Sequence, residues 1–249
     1  MNVVYWRCIS IFVFFFGLSA VLHGQRSIQT SLALPTTLPT GNYQLESAWS
    51  EFNTPIALAS PPGETNQLFI NERAGRIRVI TDLENNTIQT QPVLDIRSSR
   101  KVSTDSENGL LGLAFHPDYP EVKRLFVFYT HNQEGSRRNR VSSFLITNDD
   151  PVTADPDSEI VYFDQVDEAS NHNGGDLHFG PDGYLYVALG DEGGANDSWN
   201  NSQRIDKDFF AGIVRIDVDK RPGNVEPTNH PAIPRDNDGH ANYLVPVDN

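Results

Sequence analysis

The stretch Asn171 to Gly194, "NHNGGDLHFGPDGYLYVALGDEGG", decides how the rest of the chain is read. It alternates polar loop, short strand, tight turn, second strand and polar loop. The strand Asp176 to Phe179 runs into the turn "GPDG", Gly180 to Gly183. The next strand, Tyr184 to Leu189, carries the aromatic and branched side chains that suit a pleated sheet. Two strands joined by so short a turn run antiparallel. The loops before the first and after the second therefore share one end of the sheet, which places His172 near Asp191 and Glu192. A histidine beside a carboxylate on glycine-rich backbone is a candidate general base, the carboxylate holding the tautomer and stabilising the cation that forms.

The same pattern occurs twice more. "IALASPPGETNQLFI" begins at Ile56 and "GLAFHPDYPEVKRLFVFYT" at Gly112. Each copy has a short apolar strand, a proline-centred turn and a strand rich in Leu, Phe, Tyr and Val. The turn prolines, Pro61, Pro117 and Pro181, are 56 and 64 residues apart. Further strand candidates lie between copies: Ile77 to Ile80, Pro92 to Ile96, Val141 to Thr147 and Glu159 to Asp164. Gly212 to Val218, "GIVRIDV", follows the third. No long stretch has helical periodicity. An all-β chain with about four strands per repeat of roughly 60 residues predicts β-propeller blades. About three blades are visible, the third incomplete with no closing strand, so the chain looks like the first half of a ring. An open arc of this kind leaves a sheet face uncovered and an apolar flank exposed.

Three segments follow. Residues 1–24 hold one charge, Arg7, then an apolar run from Cys8 to Leu22, which reads as a secretory signal. The run is shorter than the 18 to 20 or so residues a membrane anchor needs, so no stable insertion is expected after cleavage. Residues 25–41 read as a flexible Thr/Ser/Pro leader, and 42–249 as the propeller part. The single cysteine, Cys8, falls in the signal, so stability must come from packing. A net charge of −14 argues against nucleic acid as a partner. Secretion or a periplasmic location is the expectation.

Other residues have plainer readings. Glu107, Asn108 and Gly109 enter the second copy where Asn171 and His172 enter the third, and so face the same axis, either as ligand contacts or as an ordinary Asn-Gly turn. His116 reads as structural. Glu72, Arg73 and Arg76 read as solvated charges around a hairpin. "QRIDKDFF", Gln203 to Phe210, reads as packing, and "DNDG", Asp236 to Gly239, as a turn lacking the full calcium-loop pattern.

Together "ENGLLGLAFHPDY", "NHNGGDLHFGPDGYLYVALGDEGG" and "FFAGIVRIDVD" resemble the soluble glucose/sorbosone dehydrogenase family. The resemblance runs from about Leu68 to Asn249. It implies a partial six-bladed propeller from a secreted enzyme that uses pyrroloquinoline quinone to oxidise an aldose at the anomeric carbon, with an external electron acceptor. By this resemblance His172 is the base, Asp191 the carboxylate that orients it, Asn171 a cofactor contact, Glu107 a contact to cofactor and substrate, and Asn196 a looser match to a substrate-binding amide. The family's cofactor-clamping arginines and lysine and its calcium ligands come from later blades, so this chain alone is expected to be inactive and not to bind the quinone. Asp176 stands where the family frequently has an arginine, and Trp199 to Asp208 is a longer insertion. Two alternatives stay open: a calcium-dependent lactonase-type propeller, and a non-catalytic propeller that binds protein or glycan.

Overall fold

Each of the three proline turns joins the first two strands of a separate antiparallel sheet. In the computed structural model, which describes residues 47–202 and 204–248, the first sheet holds β1 (Pro55–Ala59), β2 (Leu68–Glu72), β3 (Arg76–Asp82) and β4 (Thr87–Ile88), with β5 (Leu94–Asp95) also paired to β3. The second holds β6 (Leu110–Phe115), β7 (Arg124–Gln133), β8 (Ser136–Asp149) and β9 (Val152–Val166). The third holds β10 (Gly174–Phe179), β11 (Leu185–Leu189) and β12 (Gly212–Ile216). All belong to the unit Trp49–Asn249. The expected signal, 1–24, and leader, 25–41, lie outside the described residues.

The sheets are blades of a partial propeller because their first strands are neighbours: β6 lies between β1 and β10. The inner strands of the middle blade are consequently buried on both faces. Along β7, Leu125, Val127 and Tyr129 pack into a core with Phe69, Ile77, Val79 and Leu94 of the first blade. Phe126 and Phe128 point the other way, into a core with Leu177, Leu185 and Val187 of the third. That is why this strand is a continuous apolar run rather than an alternating one. Each fully buried side chain of this kind contributes about 1.5–3 kcal/mol. In β6 a bulge between Leu110 and Gly112 absorbs one residue, so Leu110 and Leu113 share a face although three positions apart. The open arc leaves Ile56 and Leu58 of β1 and Ile213 of β12 exposed.

The third blade has more of an edge than its sequence suggests. Asp217, just past β12, exchanges backbone hydrogen bonds with Leu244, and Val225 does so with Val245. Tyr243, 2% exposed, anchors this segment in the core shared with the second blade. The chain thus returns as two bridged residues rather than a full strand. Thr87–Ile88 forms β4 without a strong apolar signal, because pairing to β3 supplies what its two residues lack.

The charges around the first hairpin are not solvated as expected. Glu72 is buried, accepts the Asn53 amide at 2.9 Å and pairs with Arg76 at 2.5 Å. Burial of a carboxylate is tolerable here because donors surround it. His116 is structural: it is buried, and its Nε2 meets Asp219 at 2.9 Å, tying the second blade to the third. Phe209 and Phe210 carry the packing of their segment, Phe209 exchanging two hydrogen bonds with Gln165. Asp236 receives the amides of Asp238 and His240 in a turn.

A second carboxylate is buried at the boundary between these blades. Asp167 accepts from Asn139 at 2.5 Å and Asn173 at 2.9 Å, and so joins β8 to the loop entering β10. Burial, helped by the nearby Glu192 charge and opposed by those hydrogen bonds, pushes its carboxyl up to about 6. A raised carboxyl means the folded chain holds the proton more tightly than the unfolded one. The resulting stabilisation is full below the ordinary Asp range and is lost as pH rises through about 6. Asp167→Asn should therefore remove a decline on the order of 3 kcal/mol, seen by comparing urea unfolding of parent and variant between about pH 3.5 and 7. A difference that stays flat over that range refutes the assignment.

The close approach of β6 and β10 rests on glycine. A Cβ on Gly112 would lie 2.0 Å from the Gly175 carbonyl oxygen, which is backbone and has no room to yield. Gly112→Ala should lower unfolding stability by about 1–3 kcal/mol or more. Gly212→Ala meets only one atom, at 3.8 Å, and should be neutral or stabilising by about 0.4–1 kcal/mol. The two unfolding midpoints check the pair.

Candidate functional site

The site forms where the loops entering the second and third blades meet. Gly174 pairs with Leu189 at the end of the third sheet. The residues before β10 and after β11 therefore lie side by side. Gly190 is held close: a Cβ there would fall 1.5 Å from the His172 carbonyl oxygen. His172 adopts a left-handed backbone, φ 56°, which is uncommon for a residue with a Cβ.

Its imidazole Nδ1 lies 2.8 Å from Asp191 Oδ1. The hydrogen bond from His172, reinforced by the Gly193 amide at 3.1 Å, holds the Asp191 carboxyl below its usual range. An ionised carboxylate only accepts, so Nδ1 carries the proton of the neutral ring and Nε2 keeps its lone pair. The His172 side chain is 43% exposed, so solvent or a small molecule can reach it. Glu192 does not share this geometry. It is buried and turned away, accepting the Glu168 amide at 3.2 Å and the Asn201 side-chain amide at 2.8 Å.

The other sequence-selected residues are placed differently. Glu107 arrives from the loop before β6, and its Oε2 accepts the His172 backbone N–H at 2.6 Å. Asn171 is half-buried with its Oδ1 packed against Gly193. Asn196 is exposed in the loop after β11, with φ 58°. Asp176 is exposed and pairs with His178 at 3.1 Å.

Three residues escaped sequence reasoning. Asn173 and Asp167 form a buried floor beneath the His172 loop. Arg73, from the hairpin of the first blade, donates to the carbonyls of Asn108 at 2.8 Å, Thr104 at 2.7 Å and Ser106. Arg73 is thus a clasp on the neighbouring loop, not a solvated charge. Its partners are backbone oxygens more than thirty positions away, and carbonyls leave no mark in a sequence.

The residues here only partly suit a quinone bearing carboxylates. Such a molecule presents acceptors and needs cations and donors. Arg73 is committed to three carbonyls. Of the buried side-chain atoms near the site without a partner, Asn108 Oδ1 and Asn173 Oδ1 are acceptors themselves, and the one donor, Arg137 Nε, belongs to a guanidinium already bonded to the Glu168 carbonyl. Among the described residues no cluster of three or more His, Cys, Asp or Glu is placed to hold a metal ion.

Residues 52–237 match the Glucose / Sorbosone dehydrogenase family. Hedgehog-interacting protein of Mus musculus is 31% identical over 189 residues, covering 73% of this chain and 27% of that protein. Quinoprotein glucose dehydrogenase B of Acinetobacter calcoaceticus is 26% identical over 156 residues, 61% of this chain and 31% of that one. The chain therefore spans about a quarter to a third of the length of these relatives. Among solved structures, the quinone-bound aldose sugar dehydrogenase of Streptomyces coelicolor superposes with a TM-score of 0.56 at 26% identity, covering 76% of this chain and 52% of that one. Sheets, loop positions and sequence span agree, and this chain belongs to the glucose/sorbosone dehydrogenase family.

Proposed function

We propose that this chain supplies the proton-accepting half of a sugar dehydrogenase site. The observation that carries the reading is the 2.8 Å contact between His172 Nδ1 and a depressed Asp191 carboxylate on an accessible side chain. With Nδ1–H committed to Asp191, Nε2 accepts the proton of an alcohol, here the anomeric hydroxyl of an aldose. Asp191 then faces an imidazolium, and its negative charge stabilises the cation. Oriented general-base catalysis of this kind contributes about 10²–10⁴-fold.

The quinone, when bound, supplies the hydride acceptor for this chemistry, and an external acceptor reoxidises it. The described residues provide the base but not the cationic clamp. On this proposal the clamp, and the ligands of the calcium ion, lie outside this chain. Glu107, Asn171 and Asn196 stay candidates for contacts to cofactor or sugar. Export follows from the signal-like residues 1–24; no helix among the described residues is long and apolar enough to cross a membrane.

A second reading has one observation in its favour. The Hedgehog-interacting proteins of Mus musculus and Homo sapiens share 31% and 32% identity with the chain, against 26% for the quinoprotein. On that reading the propeller is a protein-binding module without redox activity.

One substitution separates the two. In the full protein supplied with pyrroloquinoline quinone and calcium, His172→Ala should lower dye-linked sugar oxidation by about 10²–10⁴-fold while quinone binding persists. A parent that oxidises no aldose under those conditions, or a variant with undiminished turnover, rules out the dehydrogenase reading.

A further inference from the structure

The imidazole is held by residues from all three blades. Asp191 orients the ring, but the ring meets Asp191 only because the backbone at His172 takes its left-handed turn. That turn is gripped from the second blade at two points. Glu107 N–H donates to the Ser170 carbonyl at 3.0 Å, and Glu107 Oε2 accepts the His172 amide at 2.6 Å. One residue thus spans the loop 170–172 from both sides of the bend.

Glu107 lies on an exposed loop with its own unusual backbone: Ser106 has φ 49°. The first blade shapes that loop. The Arg73 guanidinium takes the carbonyls of Thr104, Ser106 and Asn108, and the Arg73 carbonyl accepts the Leu110 amide at 2.9 Å. A planar fork of donors reaching three carbonyls fixes the loop's curvature in a way that a single ammonium does not. Gly109 lets the chain pass: a Cβ there would meet Arg73 Cγ at 2.6 Å.

We propose that Arg73 and Glu107 are positioning residues for His172, forming a relay from the first blade through the second to the third. This inference rests on the reading of His172 as the base. Arg73 curves the loop 104–108, the curve delivers the Glu107 carboxylate to the His172 amide, and the gripped turn holds Nδ1 against Asp191. Neither residue needs to touch substrate for its loss to matter. Displacement of a reacting group by about 1 Å costs on the order of 10²-fold in rate.

The test reads the ring directly. Nitrogen chemical shifts of the His172 imidazole in the neutral state distinguish protonation at Nδ1 from protonation at Nε2, and need neither quinone nor sugar. The parent should show the Nδ1-protonated form. Glu107→Gln keeps an acceptor oxygen at the same reach and should retain that form. Glu107→Asp keeps the charge but falls one methylene short, and should lose it as Glu107→Ala does. Arg73→Met should lose it too, and Arg73→Met with Glu107→Ala should be no worse than either alone. Where activity is measured, Arg73→Met, which touches no ligand, should lower kcat on the order of 10²-fold with KM little changed. Arg100→Met serves as the control: it breaks a 2.5 Å ion pair between the loop after β5 and Glu159 of β9, away from the 104–108 loop, and should leave the ring signal alone. Retention of the Nδ1 form in Glu107→Asp and Arg73→Met, or its loss in Arg100→Met, overturns the relay. A parent without sugar oxidation overturns the dehydrogenase reading but leaves this readout standing, so the two failures are distinct.

Discussion

The contact between Gly112 and Gly175 sets the spacing on which everything else depends. With no side chain on Gly112, the first strands of the second and third blades approach until a Cβ would overlap a carbonyl oxygen. At that distance the inner strands of the middle sheet have no wet face, and β7 must be apolar at successive positions. The same contact aligns the loops that precede the two strands. Glu107 sits five residues before Gly112 and His172 three before Gly175, so packing of the strands brings the carboxylate of one loop within 2.6 Å of the amide of the other.

The bonds at the site are individually small. Even bonds to a charged group contribute only about 1.5–3 kcal/mol each. Stability comes instead from the two apolar cores on either side of the middle blade. The site draws on that rigidity for geometry: its loops are anchored on strands and floored by the buried Asn139, Asp167 and Asn173. A strained backbone at His172 persists because the surroundings over-determine it.

This chain is similar both to a protein named for redox chemistry and to proteins named for interacting with another protein. A shared propeller does not choose between them, because function resides in what the loops carry. Here the loops carry an imidazole with an ionised partner. They do not carry a set of uncommitted cations. Those two facts match the proposed proton-accepting role and leave the binding of a carboxylate-bearing quinone without matching donors among the described residues.

Much of this was legible from residue order alone. The repeated proline turn and apolar strands determined the three sheets, since a strand's needs are local and recur in each copy. The "NHNGG" and "LGDEGG" loops determined the meeting of His172 and Asp191, because a hairpin brings its two ends together whatever surrounds it. Tertiary structure decided the rest. It turned Glu192 inward, bridged Leu244 to the end of the third blade, buried Glu72 and placed Arg73 on the carbonyls of the next loop. These outcomes depend on contacts between blades, and the partners are often backbone atoms, identical at every position. A pattern of side chains cannot encode them until neighbouring sheets have packed.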